Sequence, residues 1–446
     1  MKRSVAIGVF AAVVVSLALS AVAGDKPGHI KYKEYELDNG LRVVLSQDKS
    51  VPIVAVDVWY HVGSGYEEKG RSGFAHLFEH MMFQGSENVD KREHSNLVQR
   101  AGGNNNGSTT QDRTNYFQVM PANRLNLGLW LEADRMRSLA ITTENFENQR
   151  DVVKEERKQR VDNQPYGAAF LTSDTLSYDF EPYRHTVIGK MVDLDAAEVG
   201  DVQAFFNRYY SPNNAVLVVV GDIDYKKTMK MVEEYFGDIP RGPEVTELSG
   251  VEPPHDNERR KIVEDKNANV PAVFITYVIP DVLHDDMPAL ELLGAILTDG
   301  ESSRMHKRLV KEEEAAVVVF GGVDARKGPG LFRFVSASNV GVEIEKCEGL
   351  MYEEIDRVKA EGIDAKELEK AKTQFKSGFV MGRQTVLNKA EAIHNYVYFA
   401  KDLEKINTDL DNYMVVTSDD IKRVANEYFV ENNRTVVICN PVSKEG

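Results

Sequence analysis

Runs of β-branched and aromatic residues recur along the chain and alternate with longer stretches of helical character. "VPIVAVDVWY" begins at Val51 and "VPAVFITYVI" at Val270. Such residues fit a pleated surface, so both runs predict strands. Further on, "DVQAFFNRYYSPNNAVLVVVG" begins at Asp201 and "DIKRVANEYFVENNRTVVICN" at Asp420. Each reads as a short helix, an Asn-Asn turn and a Val-rich strand. Longer helical patterns span residues 145–163 and 364–381.

These matches share one displacement: Val51 lies as far before Val270 as Asp201 lies before Asp420. Self-similarity at a fixed offset is the signature of a duplicated unit. The pattern therefore predicts an α+β chain of two homologous domains, each a largely antiparallel sheet covered by helices on one face. The first is expected over residues 31–240 and the second over 261–446. Residues 241–260, rich in Pro, Gly and charge, read as the linker.

Composition changes this picture at the N-terminus. Lys2 and Arg3 precede an uncharged run that ends in Ala21-Val22-Ala23. A basic start, an apolar stretch and small residues before a cut predict a secretory signal over residues 1–23, cleaved after Ala23. An uncleaved membrane anchor is the alternative. The formal charge of −16 becomes −18 once Lys2 and Arg3 are removed. That balance disfavours nucleic acid and anionic membrane surfaces as partners. Cys347 and Cys439 are the only cysteines, enough for one disulfide or none, so this is no disulfide scaffold.

Candidate chemistry sits in "SGFAHLFEHMMFQGS", residues 72–86. On a helix, His76 and His80 lie one turn apart on a single face, a spacing that lets two imidazoles hold one Zn²⁺. Glu79 projects close by, placed to act as a general base for water. Ser72 is the expected N-cap and Gly85 the stop. Two structural histidines on an amphipathic helix would look the same, and the repeat helps to separate these readings. Shifted by the repeat offset, His76, Glu79 and His80 fall on Ala295, Thr298 and Asp299, so the second copy keeps none of the three. A third ligand is needed elsewhere, and "ENQRDVVKEERKQRVDNQPYG", residues 147–167, offers Glu147, Asp151, Glu155 and Glu156. Spacing alone leaves Glu155 and Glu156 both open.

"GSGYEEKGRSGFAHLFEHMMFQGS" followed by "VVKEERKQR" resembles the pitrilysin family of inverse zincins, which includes insulin-degrading enzyme and mitochondrial processing peptidase. "YELDNGLRVVL", "AGGNNNGSTTQDRTNYF", "YYSPNNAVLVVVGDID" and "DGESSRMHKRL" extend the likeness over nearly the whole mature chain. The resemblance implies a short, two-domain zinc endopeptidase acting on peptides or unfolded segments; the signal segment predicts its export, to the periplasm. It makes His76, His80 and Glu156 the ligands of one zinc ion and Glu79 the base. It places Asn106 on an edge strand that takes substrate as an added strand. Where the family often has a second glutamate, one heptad before the third ligand, this chain has Gln149. Tyr277 matches the tyrosine of a substrate-gripping Arg–Tyr pair, but residues 267–276 contain no arginine. A related chain, identical or different, is therefore expected to complete the chamber. The competing expectation is a non-catalytic structural or chaperone-like partner subunit.

Overall fold

A computed structural model describes residues 28–442; the expected signal segment and its cleavage point lie outside them. The described strands are β1 Lys33–Glu36, β2 Arg42–Gln47, β3 Ile53–Tyr60, β4 Asn104–Thr109, β5 Thr114–Pro121, β6 Ala215–Gly221, β7 Arg259–Asp265, β8 Ala272–Ile279, β9 Ala316–Asp324, β10 Gly330–Ser338 and β11 Arg434–Pro441. They form two sheets, ordered β1-β2-β6-β3-β5-β4 and β7-β11-β8-β10-β9. All neighbours are antiparallel except β2 with β6 and β7 with β11. Apart from β1 the two orders correspond, and the starts of β3 and β8, like those of β6 and β11, differ by the repeat offset. The chain is therefore two homologous α+β units.

Each unit's own helices cover one face of its sheet. In the first, Val54, Val56 and Val58 of β3 meet Phe78, Leu129, Val202 and Val232 from four helices. In the second, Val273, Ile275 and Tyr277 of β8 meet Leu293, Met351 and Val424. The opposite faces are not left to solvent. Helix Val386–Asn395, from the second half, lays Val386, Ala390 and Ile393 on Val44, Ala55 and Val218 of the first sheet. Helix Gly167–Leu176, from the first half, lays Ala169 and Phe170 on Phe274, Val335 and Val437 of the second. The starts of these two helices, Gly167 and Val386, differ by the same repeat offset, so the halves exchange equivalent helices. Double burial explains why the central strands are apolar at successive positions rather than at alternate ones; all seven residues of β6 are buried.

The linker region from residue 240 to 258 contains no helix or strand, yet it is held in place. Glu252 accepts the amide N–H groups of Asp179 at 2.6 Å and Phe180 at 2.8 Å.

Candidate metal site

The motif forms helix Phe74–Met81, beside the polar edge strand β4 and packed against helix Thr143–Arg157. Its start differs from the sequence expectation. Ser72 does not cap it: the Ser72 hydroxyl bonds to Asp193 and accepts from the Lys190 amide. Gly73 precedes the helix at φ 93°, a left-handed conformation that favours glycine, and a Cβ there would meet the Ile188 carbonyl at 2.9 Å. The free N–H groups of Gly73 and Ala75 are taken by the fully buried carboxylate of Glu67, at 2.9 and 2.7 Å. A carboxylate at a helix N-terminus satisfies orphan donors and the helix dipole together.

His76 and His80 then project from one face, their rings 4.8 Å apart and nearly perpendicular. Helix Thr143–Arg157, capped by Thr142, brings Glu156 to them. Glu156 Oε2 lies 3.2 Å from His80 Nε2 and 3.8 Å from His76 Nε2. Zinc bonds of about 2.0–2.1 Å in a tetrahedron separate neighbouring ligand atoms by about 3.4 Å, so this donor set fits the ion. Burial, and then His80, hold the His76 imidazole down to about 4; burial also lowers His80, against the pull of Glu156. Both rings therefore present lone pairs at neutral pH. Glu155, by contrast, sits among Lys158 and Gln159 on the exposed side of its helix.

Glu79 stays outside the ligand set. Its Oε2 accepts from the Thr109 hydroxyl at 2.6 Å, and burial raises its carboxyl above the usual range, partly offset by that bond. Gln149 is buried beside the ligands and donates to Asn148 at 2.9 Å. Asn106 and Gly107 of β4 and Arg160 line the same cleft, and Arg160 pairs with the other Glu156 oxygen at 2.7 Å.

Tyr277 is not brought there. It is 1% exposed, packed between Phe334 and Phe429 in the second core, with Arg434 opposite it across the strands. Odd-numbered residues of β8 face their own helices, so the expected substrate contact of Tyr277 is corrected to a core role in this chain. Glu67, Thr109 and Arg160 are neighbours of the site that sequence reasoning missed. Of these, only Arg160 carried a signal, its i,i+4 spacing from Glu156. Cys347 and Cys439 are separate, buried free thiols. The other ligand-type cluster among the described residues, Asp179, Glu252 and His255, has its carboxylates already engaged by backbone amides, Arg259 and the His255 ring.

Residues 42–186 match the family model described as Insulinase (Peptidase family M16), and residues 197–375 match the Peptidase M16 inactive domain. The zinc protease PqqE of Helicobacter pylori is 30% identical over 92% of this chain and 93% of its own length. The mitochondrial-processing peptidase subunit beta of Blastocladiella emersonii is 23% identical over 96% and 93%. A crystal structure of a Helicobacter pylori protease superposes with a TM-score of 0.89, covering 93% of this chain and 100% of that one at 30% identity. The periplasmic protease PqqL of Escherichia coli shares the fold at TM-score 0.77 and 17% identity; 92% of this chain covers 47% of it.

Proposed function

Because this chain belongs to peptidase family M16, we propose that it is an exported, zinc-dependent endopeptidase for peptides or unfolded polypeptide segments. The observation that carries the reading is the meeting of His76, His80 and Glu156 around one point, with Glu79 beside them but bonded to Thr109. His76 and His80 would hold one Zn²⁺ through their imidazoles, and Glu156 through its carboxylate. Zinc bound there would supply Lewis acidity and bring water's pKa towards neutrality. Glu79, with its raised carboxyl, takes the proton as water attacks the peptide carbonyl and passes it to the leaving amine. Arg160 neutralises the outer oxygen of Glu156. Asn106 and the open edge of β4 take the substrate as an added strand, through backbone bonds that demand little of its sequence.

Among the described residues, the second half adds no side chain to this cluster; the position equivalent to Glu156 in the second copy is Phe375. With Tyr277 in the core, a related chain, identical or different, completes the substrate chamber. Glu79→Gln tests the reading. The purified variant should keep its zinc and lose about 100- to 10,000-fold in peptide hydrolysis, the usual share of a general base. Undiminished turnover would sink the mechanism. Zinc-loaded wild-type protein that cleaves nothing, alone or with a related chain, would favour the non-catalytic partner role instead.

A further inference from the structure

The hairpin joining β4 to β5 stands between the ligand set and the second half of the chain. On the side of the site, it carries Thr109, whose hydroxyl donates to Glu79 Oε2 at 2.6 Å. The strand comes this close because residue 107 is glycine. A Cβ there would lie 3.2 Å from Glu79 Cγ and 3.1 Å from the Asn115 carbonyl oxygen. Arg113 folds back along β4, donating to the Ser108 carbonyl at 2.9 Å and its hydroxyl at 2.6 Å. The Thr110 amide donates to the Arg113 carbonyl and closes the turn. Thr109 is thus bracketed on both sides by bonds within the hairpin.

The far side of the hairpin is held by Tyr183 of the first half, whose hydroxyl donates to Asp112 at 2.5 Å, and by residues of the second half. The Tyr398 hydroxyl donates to the Asp112 carbonyl at 2.7 Å, and both residues are buried. The Lys327 amide donates to the Asp112 carboxylate at 3.0 Å. The Asn115 side-chain amide donates to Glu391 at 3.1 Å, and its own oxygen accepts from Arg113. Glu391 and Tyr398 lie on, and just after, the helix that the second half lays across the first sheet.

We propose that Thr109 is a positioning residue for Glu79, and that the second half holds the hairpin presenting it, through Tyr398, Lys327 and Glu391. This rests on the reading of Glu79 as the base. A glutamate side chain has three rotatable bonds, and proton transfer requires its oxygen within hydrogen-bond reach of the attacking water. Tying Oε2 to Thr109 restricts the rotation of a carboxylate that lines the same cleft as the ligands. The second half then acts on the chemistry as well as enclosing substrate.

The test uses the full-length, zinc-loaded protein and one fluorogenic peptide. Thr109→Val should lower kcat by about tenfold, the effect of losing one hydrogen bond, with KM and zinc affinity unchanged. Thr109→Ser should restore kcat to within about threefold of wild type. Tyr398→Phe should lower kcat by about two- to tenfold, again without moving KM. A crystal structure of Thr109→Val should show the Glu79 carboxylate displaced, a readout independent of turnover; Thr109→Ala serves the same comparison if Thr109→Val does not fold. An unchanged kcat with Glu79 in its original place overturns the proposal, as does loss of zinc in parallel with kcat. Normal turnover in Tyr398→Phe removes the part assigned to the second half. Should Glu79→Gln itself remain active, it is the assignment of the base that fails. Inactive Glu79→Gln beside fully active Thr109→Val condemns the positioning role alone.

Discussion

At the scale of single residues, the site depends on buried polar groups whose partners lie off the motif. Glu67 illustrates this. Its carboxylate, raised well above the usual range by burial, accepts two amides at the start of the motif helix. Glu67→Ala would leave these donors buried without a partner, at about 1–3 kcal/mol each. The expected outcome is a lower denaturant midpoint and weaker zinc binding in chelator competition. Glu156→Gln should act differently. It removes the anionic ligand and leaves the unfolding midpoint of the zinc-free protein near wild type, while zinc affinity falls by more than about 100-fold, beyond the usual cost of losing an outer partner. Isothermal titration with zinc separates the two cases. The family resemblance prefers Glu156 to Glu155, and spacing cannot make that choice. The structure turns one towards His76 and His80 and the other towards Lys158 and Gln159.

At the scale of elements, the exchanged helices join the halves. Helix Val386–Asn395 buries Ile393 completely, and Ile393→Ala should cost about 2–5 kcal/mol, measured by equilibrium unfolding. Next to it in the same helix, His394 stacks on Trp59 at 4.8 Å and approaches the Asp57 carbonyl at 3.2 Å. Burial holds its imidazole well below the ordinary value of 6.5, with His61 and Arg113 pushing the same way. The unfolded chain therefore binds a proton below about pH 6.5 that the folded chain refuses. Stability contributed by neutral His394 is present above that pH and falls as the solution becomes more acid. In the zinc-free protein, His394→Gln should reduce this acid slope by up to about 1.4 kcal/mol per pH unit. Denaturant titrations at pH 7, 6 and 5 would read it, and an identical slope in both proteins would refute the assignment.

For the molecule as a whole, each half covers a sheet face of the other. Separated at the linker, each would expose the sheet face that the other's helix covers, including Val44 and Val218 on one side and Phe274 and Val437 on the other. Contiguous apolar faces of this kind drive association or aggregation. Residues 28–245 and 246–442 made separately should be poorly soluble, whereas the two made together should co-purify as a zinc-binding complex. Independent, soluble folding of both pieces would show that the exchange contributes little.

The primary structure by itself determined the duplicated α+β architecture, because the repeat of strand, turn and helix patterns is a local property read at one constant offset. It also located His76, Glu79 and His80, since four-residue spacing on a helix needs no distant information. Tertiary structure decided what local periodicity cannot encode. The sequence pattern predicts helices on one face of each sheet; only the packing shows that the other face is covered as well, by a helix from the other half. Tyr277 lies in a strand of the right pattern, and only the pairing of β8 shows which way its ring points. Glu67, Thr109 and the hold of Tyr398 and Glu391 on the hairpin depend on contacts between residues far apart in sequence. Such contacts arise from packing, and no spacing along the chain announces them.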